Sequence, residues 1–259
     1  MTRQPLIKRI LLGLAIIMGL VLAAFVFVFF AVKYGWTNTA GIVDTDFSPA
    51  AVALIKPVWS QTEEWQTLAA ALVKDQAVIN RVASETGLTA RLIVSLIVPE
   101  QLRLFYSERE VFKQIFSPLK ILGNQTQFSL GVAGLKQETA KEIEVRDKTG
   151  LLAFTSTSSS PDQERFARLT DEHNHYYSYL YTALFTQEIM AEWREAGFPI
   201  AGRPEILATL FNIGFEHSEP KAAPQVGGAA IEIEGKIYSF GALAYEFYQS
   251  GELLDEFPR

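Results

Sequence analysis

Apolar and polar residues follow a helical spacing through most of the chain beyond residue 60. In TARLIVSLIVPEQLRLF, which starts at Thr89, branched aliphatic residues recur every three or four positions and so share one face of a helix. The stretch around Glu234-Gly235 instead has the pattern of a β-hairpin. The chain is therefore predicted to be mainly α, with a small β-hairpin element. Further helices are predicted from Ser60, from Gln76, from Glu164 to Ala196 and from Pro204.

Local signals predict where some of these helices begin. Ser60 is followed three residues later by Glu63, which is the arrangement of a capping box. Ser160 and Pro161 open the helix that follows a polar loop, and Pro204 lies in the first turn of another helix. We therefore expect helices to start near these positions.

The N-terminal residues have a pattern of their own. Residues 10–32 contain no charged side chain, and at 1.5 Å per helical residue they would extend roughly 35 Å, enough to cross a bilayer. Arg3, Lys8 and Arg9 precede this run, and basic residues on the short side of a span favour a cytoplasmic location for that side. We predict one transmembrane helix at residues 10–32, preceded by a cytoplasmic N-terminus at residues 1–9.

A cleaved signal peptide is the alternative, because it also begins with basic residues. The apolar run is longer than the usual apolar core of a signal peptide, and no convincing A-x-A cleavage site follows it. These features favour an uncleaved signal anchor. Residues 33–59, with Pro49 and Pro57, are then a tether, residues 60–219 a helical domain, and residues 220–259 a C-terminal extension packed on the same domain.

Composition narrows the chemistry that the chain can perform. There is no cysteine, which excludes disulfides, thiolate metal sites and cysteine nucleophiles. Three of the 23 Lys and Arg residues lie before residue 10, whereas all 29 Asp and Glu residues lie after it. The part after Arg9 is therefore acidic and has no Arg-rich segment, so we predict no nucleic-acid partner.

Glu100 is an acid in an apolar helix. Leu92, Leu96 and Glu100 are spaced by four residues, which places the carboxyl on the same face as aliphatic side chains. A carboxyl withdrawn from water resists ionisation, and a glycosidase uses a protonated acid to protonate a leaving oxygen. Two structural alternatives remain open. Pro99 could start a new helix whose dipole favours the carboxylate, or Arg103 could pair with Glu100.

Two further motifs carry a resemblance to a known family. SLGVAGLKQETA, residues 129–140, resembles the S-x-G-x-x-Q-x-x-x-x-T-A turn of lysozyme-like lytic transglycosylases. ILATLFNIGF, residues 206–215, resembles the A-x-x-Y-N-x-G segment of the same family. The order also matches, because the acid after an apolar helix comes first, then the glycine turn, then the asparagine segment. The similarity covers about residues 77–215.

The resemblance implies a lysozyme-like helical domain that cleaves the MurNAc–GlcNAc β-1,4 bond of peptidoglycan and forms a 1,6-anhydro product. It implies that Glu100 is the sole catalytic carboxylate, that glycan strands are the partner, and that no metal or organic cofactor takes part. With the predicted anchor, it implies a single-pass protein of the bacterial inner membrane whose C-terminal domain is periplasmic or extracytoplasmic. The residues that it implies for substrate binding are Ser129, Gly131, Gln137, Phe211, Asn212 and Gly214.

Departures from the family pattern leave a second interpretation open. Gly134 stands where the family has glutamine, with Gln137 nearby, and Phe211 replaces a tyrosine and lacks its hydroxyl. Gln101 and Leu102 stand where a serine usually follows the acid. The alternative is a catalytically inactive lysozyme-like module that binds glycan or scaffolds a complex of the cell envelope.

Other residues with candidate chemistry favour structural roles. His173 and His175 are two residues apart and so point to different sides of a helix, which argues against a shared metal ion. Helical spacing spreads the tyrosines between residues 176 and 181 around the helix, so we expect most of them to pack in the core or at its margin. His217 is expected at the surface.

Overall fold

The computed structural model describes residues 41–49, 57–106, 131–154 and 160–259, together with separate positions between 12 and 27. The chain forms two compact units, Met1–Thr39 and Ala40–Arg259. The first contains the whole of the predicted membrane segment, and the second contains all the motifs of the predicted site.

In the first unit, the described positions between 12 and 27 are helical. Much of the predicted transmembrane helix at residues 10–32, and part of the predicted tether at residues 33–59, lie outside the described residues. Among the residues that are described, no helix combines the length and the apolar character needed to span a membrane. The transmembrane helix stays a prediction. Among its described residues, the exposed large apolar side chains are Leu12, Ile16, Met18, Leu20, Leu22, Val26 and Phe27.

The second unit is mainly helical and has a small three-stranded antiparallel sheet, which confirms the predicted mainly α class. Short 3-10 helices lie at Val58–Gln61 and Phe215–His217. The strands are β1 Gly41–Val43, β2 Gly227–Ile233 and β3 Lys236–Ser239, in the order β1-β2-β3. The described α-helices are α1 Glu63–Lys74, α2 Gln76–Thr86, α3 Ala90–Tyr106, α4 Gln137–Arg146, α5 Pro161–Leu169, α6 Tyr176–Glu195, α7 Pro204–Ile213 and α8 Phe240–Gln249.

The sheet contains the predicted hairpin and one strand that was not predicted. β2 and β3 are joined by Glu234 and Gly235, whose φ angles of 50° and 75° suit a tight two-residue hairpin turn. β1 lies within the segment predicted as a tether and pairs with β2. A Cβ on Gly227 would overlap the carbonyl oxygen of Ile42. The missing side chain therefore lets the two strands approach.

The capping box predicted at Ser60 is wrong. The N-cap of α1 is Thr62, whose hydroxyl accepts a hydrogen bond from the N–H of Trp65 at 3.2 Å. Ser60 lies in the preceding 3-10 helix, and its hydroxyl donates to the carbonyl oxygen of Pro57 at 2.9 Å. Serine and threonine are both favourable N-caps, and the turn after Pro57 engages the serine first.

The other two predicted helix starts are confirmed. Ser160 forms a capping box with Gln163, and Pro161 is the first residue of α5. Pro204 is the first residue of α7. At these positions a residue that suits the helix terminus stands directly before or at the first helical residue, so the local sequence is sufficient.

α6 lies in the centre of the second unit. It packs against α2, α3, α4, α5 and α7, and buried side chains project from most of its faces. A helix with neighbours on many sides has no single apolar stripe. Tyr179 and Tyr181 are buried in this core, as the sequence predicts.

Arg91 connects α3 to residues 247–257 through hydrogen bonds. It lies in the first turn of α3 and is fully buried. All five N–H donors of its guanidinium are matched with backbone carbonyls. Burial, with the charge of Arg259 nearby, lowers the pKa of Arg91 to about 10, so the side chain is still charged at neutral pH. The carbonyl acceptors belong to Phe247, Tyr248, Ser250, Glu252 and Phe257.

Candidate functional site

Glu100 lies in the interior of α3. The helix continues from Ala90 to Tyr106 and contains Pro99 within it. Proline has no N–H to donate to the carbonyl four residues earlier, so packing of the helix has to compensate for the missing bond. The alternative in which Pro99 starts a new helix is therefore wrong. The buried apolar side chains of this helix include Ala90, Leu92, Ile93, Val94, Leu96, Ile97, Val98, Leu102 and Leu104.

The carboxylate of Glu100 is buried and paired with Arg103. Glu100 is 3% exposed, in agreement with its predicted place on the apolar face. Nε of Arg103 donates to one carboxylate oxygen at 3.1 Å, and Nη2 donates to both oxygens at 2.7 Å. The side chain of Arg103 is 12% exposed and that of Glu100 is 4% exposed. Arg103 is therefore the partner nearer to solvent, and the pairing left open by the sequence is present.

The glycine turn packs directly against the Glu100 side chain. Gly134 has a φ of +62°, and a Cβ at this position would lie 2.5 Å from Cδ and 2.7 Å from Cγ of Glu100. The side-chain amide of Gln101 donates a hydrogen bond to the carbonyl oxygen of Val132. Two successive residues of α3 thus hold the turn. The contact also explains why residue 134 is glycine, since any side chain here would meet Glu100.

Gly131 lies in the same turn, and Gln137 follows it at the start of α4. A Cβ on Gly131, where φ is +66°, would lie 2.6 Å from Oγ of Ser178 and would overlap the carbonyl oxygen of Leu169. The close approach that Gly131 permits is therefore to the end of α5 and to α6, whereas the family resemblance implies a contact of Gly131 with substrate. Gln137 is buried as the first residue of α4. Ser129 lies outside the described residues.

Asn212 holds the sheet through its side chain. Its Oδ1 accepts a hydrogen bond from the N–H of Ala229 at 2.8 Å, and a Cβ on Gly228 would lie 2.9 Å from the same oxygen. Asn212 is half-buried. The amide NH2 is the donor group that this side chain can offer a ligand.

Phe211 and Gly214 differ in their surroundings. Phe211 is 9% exposed and packs edge-on against Phe185, with 5.4 Å between ring centroids, so it belongs to the core. Gly214 ends α7 with a φ of +88°, and among the described residues nothing lies within 4 Å of a Cβ built there. α7 packs against α3, so the asparagine segment and Glu100 are on neighbouring helices.

Phe215 and Arg146 form a contact beyond Gly214 that the sequence did not indicate. The ring of Phe215 packs against Phe185 at 4.3 Å between centroids, and Cζ of Arg146 lies 4.5 Å from the centroid of Phe215. This distance is within the range of a cation–π interaction. Arg146 ends α4 and is far from Phe215 in the sequence, so only tertiary packing brings the two together.

A pocket of about 260 Å³ lies on a side of α7 that does not include Phe211 or Asn212. Its walls are formed by β1, by α7, by Trp193 and by residues between 217 and 228. Exposed His217 is one of them, in agreement with its predicted place at the surface. Of the predicted site residues that the structure describes, none lines this pocket. It is therefore a surface separate from the Glu100 contact.

His175 forms a hydrogen bond with Asp75 and is not grouped with His173. Its Nδ1 lies 2.6 Å from Oδ2 of Asp75, and the hydroxyl of Tyr179 donates to the same oxygen at 2.8 Å. Burial, aided by the Asp75 charge, raises the pKa of the Tyr179 hydroxyl. In the described part of the chain, no three His, Asp or Glu side chains are grouped so as to hold a metal ion.

The chain was compared with protein-family models, with curated proteins and with solved structures, and none of the three comparisons gave a match.

Proposed function

We propose that the chain is a membrane-anchored peptidoglycan lytic transglycosylase in which Glu100 is the sole catalytic acid and base. One observation carries the proposal. The carboxyl of Glu100 is buried on the apolar face of α3 and is covered on one side by the glycine turn at Gly134. An acid withdrawn from water beside a glycine, which has no side chain, is suited to protonating a sugar oxygen that approaches closely.

The reaction needs one carboxyl group. Protonated Glu100 gives its proton to the glycosidic oxygen as the bond from C1 of MurNAc to O4 of GlcNAc breaks through an oxocarbenium-like state. The C6 hydroxyl of the same MurNAc then attacks C1 and loses its proton to the Glu100 carboxylate. The new C1–O6 bond closes the 1,6-anhydro ring and regenerates the acid. Because the nucleophile is part of the substrate, no second carboxylate is required.

The ion pair with Arg103 sets a condition on this mechanism. In its neutral form, Glu100 offers no charge to the guanidinium and one fewer acceptor position. Proton donation therefore requires the bonds from Arg103 to Glu100 to open when substrate enters. Arg103 lies one turn along the same helix and on the solvent side, so a change of its side-chain rotamer is sufficient.

Glycan binding and membrane location involve other parts of the chain. The amide NH2 of Asn212 and the backbone at Gly214, where no described atom lies within 4 Å of a built Cβ, are the groups of the asparagine segment suited to glycan contact. No metal or organic cofactor is part of the reaction. The apolar run at residues 10–32 and the basic residues before it support a bacterial inner-membrane anchor with the catalytic domain periplasmic or extracytoplasmic.

A second candidate function is supported by the same ion pair. A carboxylate that accepts three hydrogen bonds from one guanidinium is also a stable structural element of a helix. Gly134 and Phe211 replace polar residues of the family pattern, which reduces the polarity expected of an active site. The second candidate is a non-catalytic module that binds glycan or scaffolds an envelope complex.

Digestion of purified sacculi by the full-length protein in detergent, with mass spectrometry of the products, tests the proposal. We expect 1,6-anhydro muropeptides from the wild type, and a loss on the order of 100-fold or more in Glu100→Gln. Glu205→Gln is the matched control, because Glu205 also follows a proline, is buried and binds an arginine. Activity equal to wild type in Glu100→Gln would refute the role of Glu100. Glycan binding without any cleavage by the wild type would favour the second candidate.

A further inference from the structure

Arg103 is positioned to be more than a static partner of Glu100. Its guanidinium binds the Glu100 carboxylate through two nitrogens and three hydrogen bonds, which is the geometry in which arginine recognises carboxylates in general. Any other carboxylate that reached the same guanidinium would compete with Glu100 for the same N–H donors.

The exposure of the two side chains indicates which of them can leave the ion pair. Glu100 is the less exposed of the two, and the turn at Gly134 packs against its carboxyl. Arg103 is on the outer side, and it can rotate away without movement of the α3 backbone because the two side chains are attached one turn apart. A carboxylate arriving from solvent therefore meets Arg103 before it meets Glu100.

We propose that Arg103 is a specificity-determining residue that binds a carboxylate of the glycan and thereby releases Glu100. This rests on the proposed function, and it deepens it by naming the substrate class: glycan strands without stem peptides, whose MurNAc lactyl groups are free carboxylates, in preference to neutral chitin-type strands. Binding of the anionic group at Arg103 exchanges one carboxylate for another on the guanidinium and leaves the Glu100 carboxyl free of its bonds to Arg103.

The exchange has a consequence that binding measurements can detect without any turnover. In the wild type, an anionic glycan can bind the Arg103 guanidinium only by displacing the Glu100 carboxylate from it. In Glu100→Gln, the guanidinium has lost its charged partner, so an anionic glycan should bind much more tightly while a neutral glycan of the same length should bind as before. Removal of Arg103 should abolish the difference between the two glycans.

The test uses the full-length protein in detergent and two tetrasaccharides. One is neutral tetra-N-acetylchitotetraose, and the other is the alternating GlcNAc–MurNAc tetrasaccharide with free lactyl carboxylates. We expect Glu100→Gln to increase the preference for the anionic glycan by at least about tenfold over the wild type. Arg103→Gln should bind both glycans equally. Arg103→Lys keeps the charge but loses the planar fork, and should show an intermediate preference.

A double variant separates contact from long-range electrostatics. If the gain in Glu100→Gln arises only because a negative charge has been removed, it will persist in Glu100→Gln/Arg103→Gln, and the proposal is refuted. Loss of the gain in the double variant supports it. An unchanged preference in Glu100→Gln, or no binding of the anionic glycan by any variant, also refutes it. The proposed catalysis is judged separately by release of anhydro products from sacculi, so the preference can be present without cleavage and cleavage without the preference.

Discussion

Gly134 and Glu100 are in direct contact, and a Cβ on Gly134 would lie 2.5 Å from Cδ of Glu100. Gly134→Ala therefore has to overcome two costs. A left-handed backbone costs a residue with a side chain about 1–2 kcal/mol, and the new methyl group must also displace the Glu100 side chain. We expect the free energy of unfolding, measured by urea denaturation, to fall by more than the backbone cost alone.

Gly150→Ala is the matched control for that substitution. Gly150 has a φ of +75°, and among the described residues no atom lies within 4 Å of a Cβ built there. Only the backbone cost applies, so Gly150→Ala should be less destabilising than Gly134→Ala. Equal losses in the two variants would contradict the contact between residue 134 and Glu100.

Arg91→Met tests the connection between α3 and the residues that follow α8. The substitution keeps an unbranched apolar side chain but leaves five backbone carbonyls without their donor. A buried polar group without a partner costs about 1–3 kcal/mol, so we expect a total loss of about 3 kcal/mol or more. Unfolding free energy and proteolysis near residue 250 are the measurements. Arg194→Met, at an exposed position of α6, should change neither. Normal stability of Arg91→Met would show that the carbonyls find other donors.

Tyr176→Phe should alter the pH dependence of stability. The hydroxyl of Tyr176 donates a hydrogen bond to Glu85 at 2.6 Å. This bond is the main cause that lowers the pKa of Glu85 below 4.5, and the hydrogen bond and charge of Arg81 lower it further. A lowered carboxyl pKa stabilises the fold above the unfolded pKa of 4.5, and that stability is lost as pH falls through the folded pKa. Burial, together with Glu85, raises the pKa of Tyr176 to about 12, so stability is also lost between the usual pKa near 10 and about 12.

The difference in unfolding free energy between wild type and Tyr176→Phe should therefore be largest near neutral pH and smaller at pH 3 and above pH 10. Because Glu85 is partly exposed, we expect a difference of about 1 kcal/mol or less at its maximum. A double-mutant cycle with Glu85→Gln isolates the bond. A difference that does not vary with pH would refute the assigned partner.

Asn212 allows its structural and ligand roles to be separated. Asn212→Asp keeps the oxygen that accepts from Ala229 and removes the NH2 group, whereas Asn212→Ala removes both. We expect Asn212→Ala to lose about 1–2 kcal/mol of stability because the N–H of Ala229 loses its acceptor. Asn212→Asp should stay close to the wild type in stability and lose glycan binding. Full glycan binding by a folded Asn212→Asp would exclude the amide from the site.

The helical class and most helix positions follow from the sequence because each apolar stripe is a local pattern. The start of α5 follows from Ser160 and Pro161 for the same reason. The start of α1 did not, because Ser60 and Thr62 are both good caps and the choice depends on the turn after Pro57. β1 was missed because three residues show no clear period, and its pairing depends on glycine at residue 227, which is far away in the sequence.

The candidate site was predictable to a similar extent. Spacing by four residues places Glu100 on the buried face, and spacing by three places Arg103 within reach of it. The contact with Gly134 could not be derived, because it depends on where a distant turn packs. The sequence also could not show that Gly131 approaches the protein's own backbone, or that Asn212 supports β2, since a motif gives residue types and not the neighbours that they meet.

The contact network of Arg91 has a consequence for biosynthesis. Its five acceptors lie between residues 247 and 257, as much as 166 positions further along the chain, and Trp59 and Trp65 each bind a glutamate 187 residues away. A nascent chain therefore cannot satisfy the buried guanidinium until nearly all of this unit has been synthesised. Contacts between such distant residues slow folding. We expect the Glu100 helix to reach its final packing only after synthesis has passed residue 257. The proposed lytic activity would then be absent during translation.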